Sequence, residues 1–129
     1  MADYENNAFF WQKIDTLFLS GNLQMTKKKG EVHPTFRNLI YPVDYGKLTD
    51  TKSAEDGVSV YAGSGDRSEI TALVVAADIL MKELDVKILV GCTDEETDSV
   101  LRFLNQTDYQ KTVLIRRGND IPAWGFSDN

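Results

Sequence analysis

Three apolar segments rich in β-branched residues, Val58 to Ala62, Ile70 to Ala77 and Val86 to Cys92, follow one another with short polar gaps between them. A parallel, doubly wound sheet needs a long crossover, usually a helix, between successive strands, and the six residues Ile79 to Leu84 are too few for one. The spacing therefore predicts strands paired antiparallel in sequence order, in an α+β domain built on an antiparallel sheet or small barrel. Strand side chains alternate, so Asp85, Lys87 and Leu89 share one face while Val86, Ile88 and Val90 share the other. One face is core and the other is polar at its start.

Helices flank this region. Ala8 to Leu19 places Phe10, Trp11, Ile14, Leu17 and Phe18 at helical spacing, with asparagines before it and Gly21 after it. Thr93-Asp94-Glu95-Glu96 has the spacing of a capping box and predicts a helix from Asp94 to about Gln106. Lys111 to Arg116 reads as a final strand, and Trp124 and Phe126 of the tail are expected to dock. The stretch from Thr26 to Arg37 reads as an exposed loop, and Tyr45-Gly46 as the start of a turn. The chain is expected to form one domain over residues 1–129, with an N-terminal helix (1–21), a barrel with an inserted helix (22–117) and a tail (118–129).

Composition excludes several classes of function. At 129 residues the chain can bury a core without disulfides or a structural metal. A balance of 14 basic against 20 acidic residues, net −6, leaves no cationic stripe for nucleic acid. The single Cys92 excludes an internal disulfide framework, and the lone His33 excludes a multi-histidine metal site. No apolar run approaches the length of a membrane span, and the basic start of a signal peptide is lacking, so no membrane partner and a cytoplasmic location are expected.

Three carboxylates fall at strand or turn ends: Asp56 before Gly57, Asp78 closing one long strand and Asp85 opening the next. If these two strands form a hairpin, Asp78 and Asp85 lie at one end of the sheet, with Lys87 on the face of Asp85. Such a group suits a hard cation that takes oxygen ligands, beside a lysine that neutralises phosphate. The alternative is that the acids flank a turn and the lysine is solvated, as surface charges usually are.

The order Lys29-Gly30, Tyr41-Pro42-Val43-Asp44-Tyr45-Gly46, Asp56-Gly57, then Asp78, Asp85 and Lys87 resembles that of soluble family I inorganic pyrophosphatases over about residues 24 to 92. The resemblance implies an oligonucleotide-binding-fold-like barrel, dependence on Mg²⁺ or Mn²⁺, and hydrolysis of pyrophosphate or a related phosphoanhydride by metal-activated water. It implies Asp56, Asp78 and Asp85 as metal ligands and catalytic residues, and Lys29, Tyr45 and Lys87 as phosphate-binding residues. The metal loop departs from the family pattern, because Val58-Ser59 follows Asp56-Gly57 where further aspartates belong. Ser59 takes the place of the last of them. Asp78 and Asp85 are also seven apart, two more than in the family motif, and no early glutamate is evident where Gln24 and Thr26 stand. Arg37, Arg116 and Arg117 are loose candidates for the missing arginine and late phosphate contacts. A second expectation is thus a catalytically degenerate module of the same fold that binds a phosphorylated ligand or a protein.

Other features have plainer readings. Gly63-Ser64-Gly65 lacks the ending of a phosphate-cradling loop and reads as a hairpin turn. Cys92 reads as a buried thiol, and His33 as a loop histidine able to donate to a phosphate. The Phe9, Phe10, Trp11 and Phe18 set reads as a helix side covering the barrel, with room for a homo-oligomer contact.

Overall fold

The structure is a computed structural model that describes residues 6–53 and 56–118. The elements in chain order are α1 (Ala8–Ser20), β1 (Leu23–Lys27), β2 (Asp44–Leu48), β3 (Val58–Ala62), β4 (Ile70–Asp78), β5 (Glu83–Val90), α2 (Asp94–Leu104) and β6 (Gln110–Arg116). All six strands belong to one open sheet in the order β1-β2-β3-β5-β4-β6. The class is α+β as expected. Among the described residues the sheet is mixed and does not close into the expected barrel, and β1 and β6 form its two edges. Trp124 and Phe126 lie outside the described residues.

The expected hairpin between β4 and β5 forms, with Ala76 opposite Asp85 and Asp78 opposite Glu83. Its turn is held by Asp78, whose Oδ1 accepts from the amides of Leu80 (2.9 Å) and Met81 (3.0 Å). The expected pairing of β3 with β4 does not form. Instead β5 lies between them, and β3 pairs with β5 in parallel, Ser59 opposite Lys87 and Tyr61 opposite Leu89. Gly63-Ser64-Gly65 is therefore part of a connection that passes over the end of β5, not a hairpin turn.

That connection is fastened to the chain leaving β5. The Gly63 amide donates to Val90 O, the Gly65 amide to Gly91 O and the Gly91 amide to Glu69 O. Gly63 has to be glycine here, since a Cβ would lie 2.5 Å from the backbone oxygen of Gly91. Glu96 completes the capping box of α2 with Thr93, and its carboxylate also accepts from the Ser64 amide at 3.1 Å. One side chain thus starts the helix and ties it to the β3–β4 connection.

The expected loop from Thr26 begins inside a strand, since Thr26 and Lys27 end β1, and the expected turn at Tyr45-Gly46 lies within β2. β1 pairs with β2, with Met25 opposite Gly46 across an irregular register. A Cβ at Gly46 would lie 2.5 Å from Gln24 O, so this glycine permits close strand approach. Such a glycine looks like a turn signal when only the sequence is read.

Each sheet face has its own cover. On one face Trp11 and Phe18 of α1 pack with Leu48, Val60, Ile70 and Ile88. The other face receives Val100, Phe103 and Leu104 of α2, which pack with Tyr45, Tyr61 and Leu89. The inward stripe of α1 differs from the apolar spacing: Asp15 is buried while Phe10 and Leu17 are exposed. Asp15 tolerates burial because Arg117 donates to both of its oxygens at 2.7 Å. The same guanidinium lies 5.3 Å from the Trp11 ring.

Removing one partner of a buried ion pair strands the other charge, at a cost of about 3 to 5 kcal/mol. Asp15→Ala is expected to lower the unfolding free energy by about 3 kcal/mol in urea titration, the lower end of that range. A second expectation concerns acid. Burial tends to raise the Glu96 carboxyl, but hydrogen bonds from Thr93 and Ser64 outweigh it and hold the group below its ordinary 4.5. A depressed carboxylate contributes stability above its unfolded pKa and loses it as pH falls through the folded value. Melting temperature measured downward from pH 5 should therefore fall more steeply for wild type than for Glu96→Gln, which starts lower at neutral pH.

Candidate functional site

On the α2 face of the sheet, register places side chains in rows across the strands. Lys47 is opposite Ser59, and Ser59 is opposite Lys87. The next row is Tyr45, Tyr61 and Leu89. A row of two lysines and a serine thus runs beside a row that begins with two tyrosines. The link between them is a buried hydrogen bond of 3.0 Å between Tyr45 Oη and Ser59 Oγ.

α2 covers only part of this face. The segment between β1 and β2 folds over the rest, with the Gly30 amide donating to Tyr41 O, the Tyr41 amide to Glu31 O and the His33 amide to Leu39 O. Val32 and Ile40 bridge across it. His33 Nδ1 accepts from the amides of Thr35 (3.0 Å) and Phe36 (3.2 Å), so the neutral ring carries its proton on Nε2. The ring stacks on Tyr41 at 5.8 Å with an interplanar angle of 11°. Tyr41 in turn lies 5.4 Å from Tyr45 and 5.0 Å from Phe103. An aromatic cluster therefore joins this segment to the sheet and to α2.

Between cover and sheet is a cavity of about 650 Å³. Its walls include Phe36, Tyr41, Tyr61, Phe103 and Tyr109, and the lysines in its lining are Lys27, Lys47 and Lys87. An adjoining cavity of about 260 Å³ reaches Asp85 and Glu83, and the two share His33, Asp78, Met81, Lys87 and Gln110.

At this junction Lys87 Nζ lies 3.2 Å from Asp85 Oδ2, and both side chains are buried. Ser53 Oγ donates to the other oxygen of Asp85. An ammonium has three donors, of which Asp85 takes one. The pair can therefore hold a cation at the cavity floor while offering hydrogen bonds to an anion above it.

Of the six residues singled out from sequence, the structure brings four to these cavities: Tyr45, Asp78, Asp85 and Lys87. Asp56 is exposed and outside their lining. Lys29 is exposed as well, and its amide donates to Asp44 Oδ1 at 2.8 Å. That amide and Arg67 hold the Asp44 carboxyl below its ordinary value, against a smaller effect of burial. Among the described residues no group of three or more His, Cys, Asp or Glu is placed to hold a metal ion. Asp78 and Asp85 meet at one cavity, yet each already accepts hydrogen bonds, Asp78 from turn amides and Asp85 from Ser53 and Lys87.

The arginines considered as late phosphate contacts are engaged elsewhere, Arg116 with Asp94 at 3.2 Å and Arg117 with Asp15. Cys92 Sγ donates to Tyr61 O at 3.8 Å, and burial together with the Glu96 charge pushes its thiol up to about 11, far from a reactive thiolate. Lys47, Tyr61 and Phe36 are not expected at the site from sequence, and Phe103 is expected only on the apolar side of α2. Strand alternation through Asp44–Leu48 and Val58–Ala62 would have placed Tyr45 with Lys47 and Ser59 with Tyr61, had the first been read as a strand. Among the described residues no helix is long and apolar enough to cross a membrane. The chain matches no protein-family model, no curated protein and no solved structure.

The Tyr45–Ser59 bond yields a stability test. Tyr45→Phe takes away the phenolic partner of a fully buried hydroxyl, which costs about 1 to 2 kcal/mol. A double-mutant cycle with Ser59→Ala, read by urea unfolding, should give a double variant less destabilised than the sum of the singles.

Proposed function

We propose that this cavity binds a phosphorylated small molecule, and that the chain is a pyrophosphatase-like module in which ligand binding is the retained chemistry. The observation that carries this reading is the position of Lys87. Its ammonium is buried at the junction of both cavities, oriented by Asp85, and in register with Ser59 and Lys47. A buried ammonium held by Asp85 against a cavity would meet a phosphate with the order of its side chain already established, which supports this reading. Phosphate oxygens would accept from Lys87, with Lys47 in the same row of the sheet.

A second reading is Mg²⁺- or Mn²⁺-dependent hydrolysis of pyrophosphate or a related phosphoanhydride. It is favoured by the meeting of Asp78, Asp85 and Lys87 beside Tyr45, the set that the family resemblance implies. In that reading Asp78 and Asp85 would hold the ion and the ion would lower the pKa of a bound water. Asp56 is exposed and lines neither cavity, so this arrangement draws on two carboxylates and not three. Ser59 faces the same side of the sheet as Lys87, so Ser59→Asp would set a carboxylate beside that ammonium.

Calorimetric titration with pyrophosphate, with and without Mg²⁺, separates the two. Under the binding reading heat appears in both, Lys47→Gln weakens affinity about tenfold, the loss expected for one charge-assisted contact, and no phosphate is released. Phosphate release that needs Mg²⁺ and disappears in Asp85→Asn would establish the hydrolase instead. Absence of binding both with and without Mg²⁺ would reject both.

A further inference from the structure

We infer that the ligand of this cavity is a nucleotide, a phosphate carried on a planar base, rather than inorganic pyrophosphate. The inference deepens the phosphate-binding reading and rests on it. Volume is the first argument. Liquid water takes roughly 30 Å³ per molecule, and at that allowance the heavy atoms of an inorganic diphosphate fill less than half of a cavity of about 650 Å³. Pockets of about 300 to 1,000 Å³ enclose organic ligands, with walls that are mainly apolar and a few placed polar groups.

The distribution of chemistry is the second argument. Lysines lie on the sheet at β1, β2 and β5, whereas the opposing cover supplies Phe36, Tyr41 and Phe103. A bare phosphate has no use for the second wall. A base stacked there would leave its phosphates to reach Lys47 and Lys87, because the two walls enclose one cavity. Phe36 is the wall residue best suited to report this. It is 38% exposed, so it lines the cavity without anchoring the core. Its ring lies 5.3 Å from the His33 ring, which two backbone amides hold in place. A stacking surface is therefore present before ligand arrives.

The test is titration of the full chain, in Mg²⁺-containing buffer, with ADP, GDP, CDP, UDP, pyrophosphate and the four matching nucleosides. Base stacking on one aromatic ring contributes about one order of magnitude in affinity. At least one nucleoside diphosphate should therefore bind about tenfold tighter than pyrophosphate, and about tenfold tighter than its own nucleoside. Phe36→Ala should weaken that nucleotide about tenfold and pyrophosphate much less, with an unchanged melting temperature confirming the fold. If pyrophosphate binds as tightly as every nucleotide, the planar base is wrong while the phosphate site stands. If a nucleoside binds as tightly as its diphosphate, the phosphate site is wrong. If none of the nine compounds binds, both readings fall together.

Discussion

Placing Asp85 and Lys87 two residues apart on an interior strand is the constraint around which this molecule is arranged. β5 has neighbours on both sides and covers on both faces, so neither charge can turn to bulk water. Desolvating an ion costs several kcal/mol, and only a good partner with further hydrogen bonds offsets it. The two charges satisfy one another at 3.2 Å, and Ser53 supplies the additional bond to Asp85. A hydrophobic pair of similar volume would remove that desolvation cost. The ion pair instead puts a fixed cation against a cavity.

The aromatic residues above it have a related role. Tyr45 and Tyr61 are neighbours on β2 and β3, and Tyr41 and Phe103 reach them from the cover and from α2. Edge and tilted contacts of this kind add to the area they bury and hold ring orientation. They join three parts of the chain that are remote in sequence, so the cavity is bounded by elements that pack against one another. The buried Tyr45–Ser59 hydrogen bond keeps a polar atom satisfied where aromatic and charged rows meet.

Much of the fold is legible in local pattern. Helix caps are read from a few residues, and Asn7 and Thr93 cap α1 and α2 by accepting from the amides of Phe10 and Glu96. The β4–β5 hairpin follows from a gap too short for anything else, with Asp78 in its turn. Alternation along β5 placed Asp85, Lys87 and Leu89 on one face, and that face borders the cavity. Strand order was not legible. Gly63-Ser64-Gly65 carries the residues of a hairpin turn, and what makes it a connection over β5 is a set of bonds to Gly91 and Glu96 that come from later in the chain.

The same division separates the site's chemistry from its assembly. Sequence alone determined that one short α+β chain carries acids on both sides of a hairpin turn, a lysine two residues beyond the second acid and a tyrosine-rich stretch before it, because turns, caps and alternation depend on neighbours within a few residues. Only the tertiary structure decided that Asp56 and Lys29 stay outside while Lys47, Phe36 and Phe103 come in. Those placements depend on which strand lies beside which, and insertion of β5 between β3 and β4 is set by packing and hydrogen bonds across the whole chain. A residue's partner across a sheet is a property of register, and register is not written in either strand by itself.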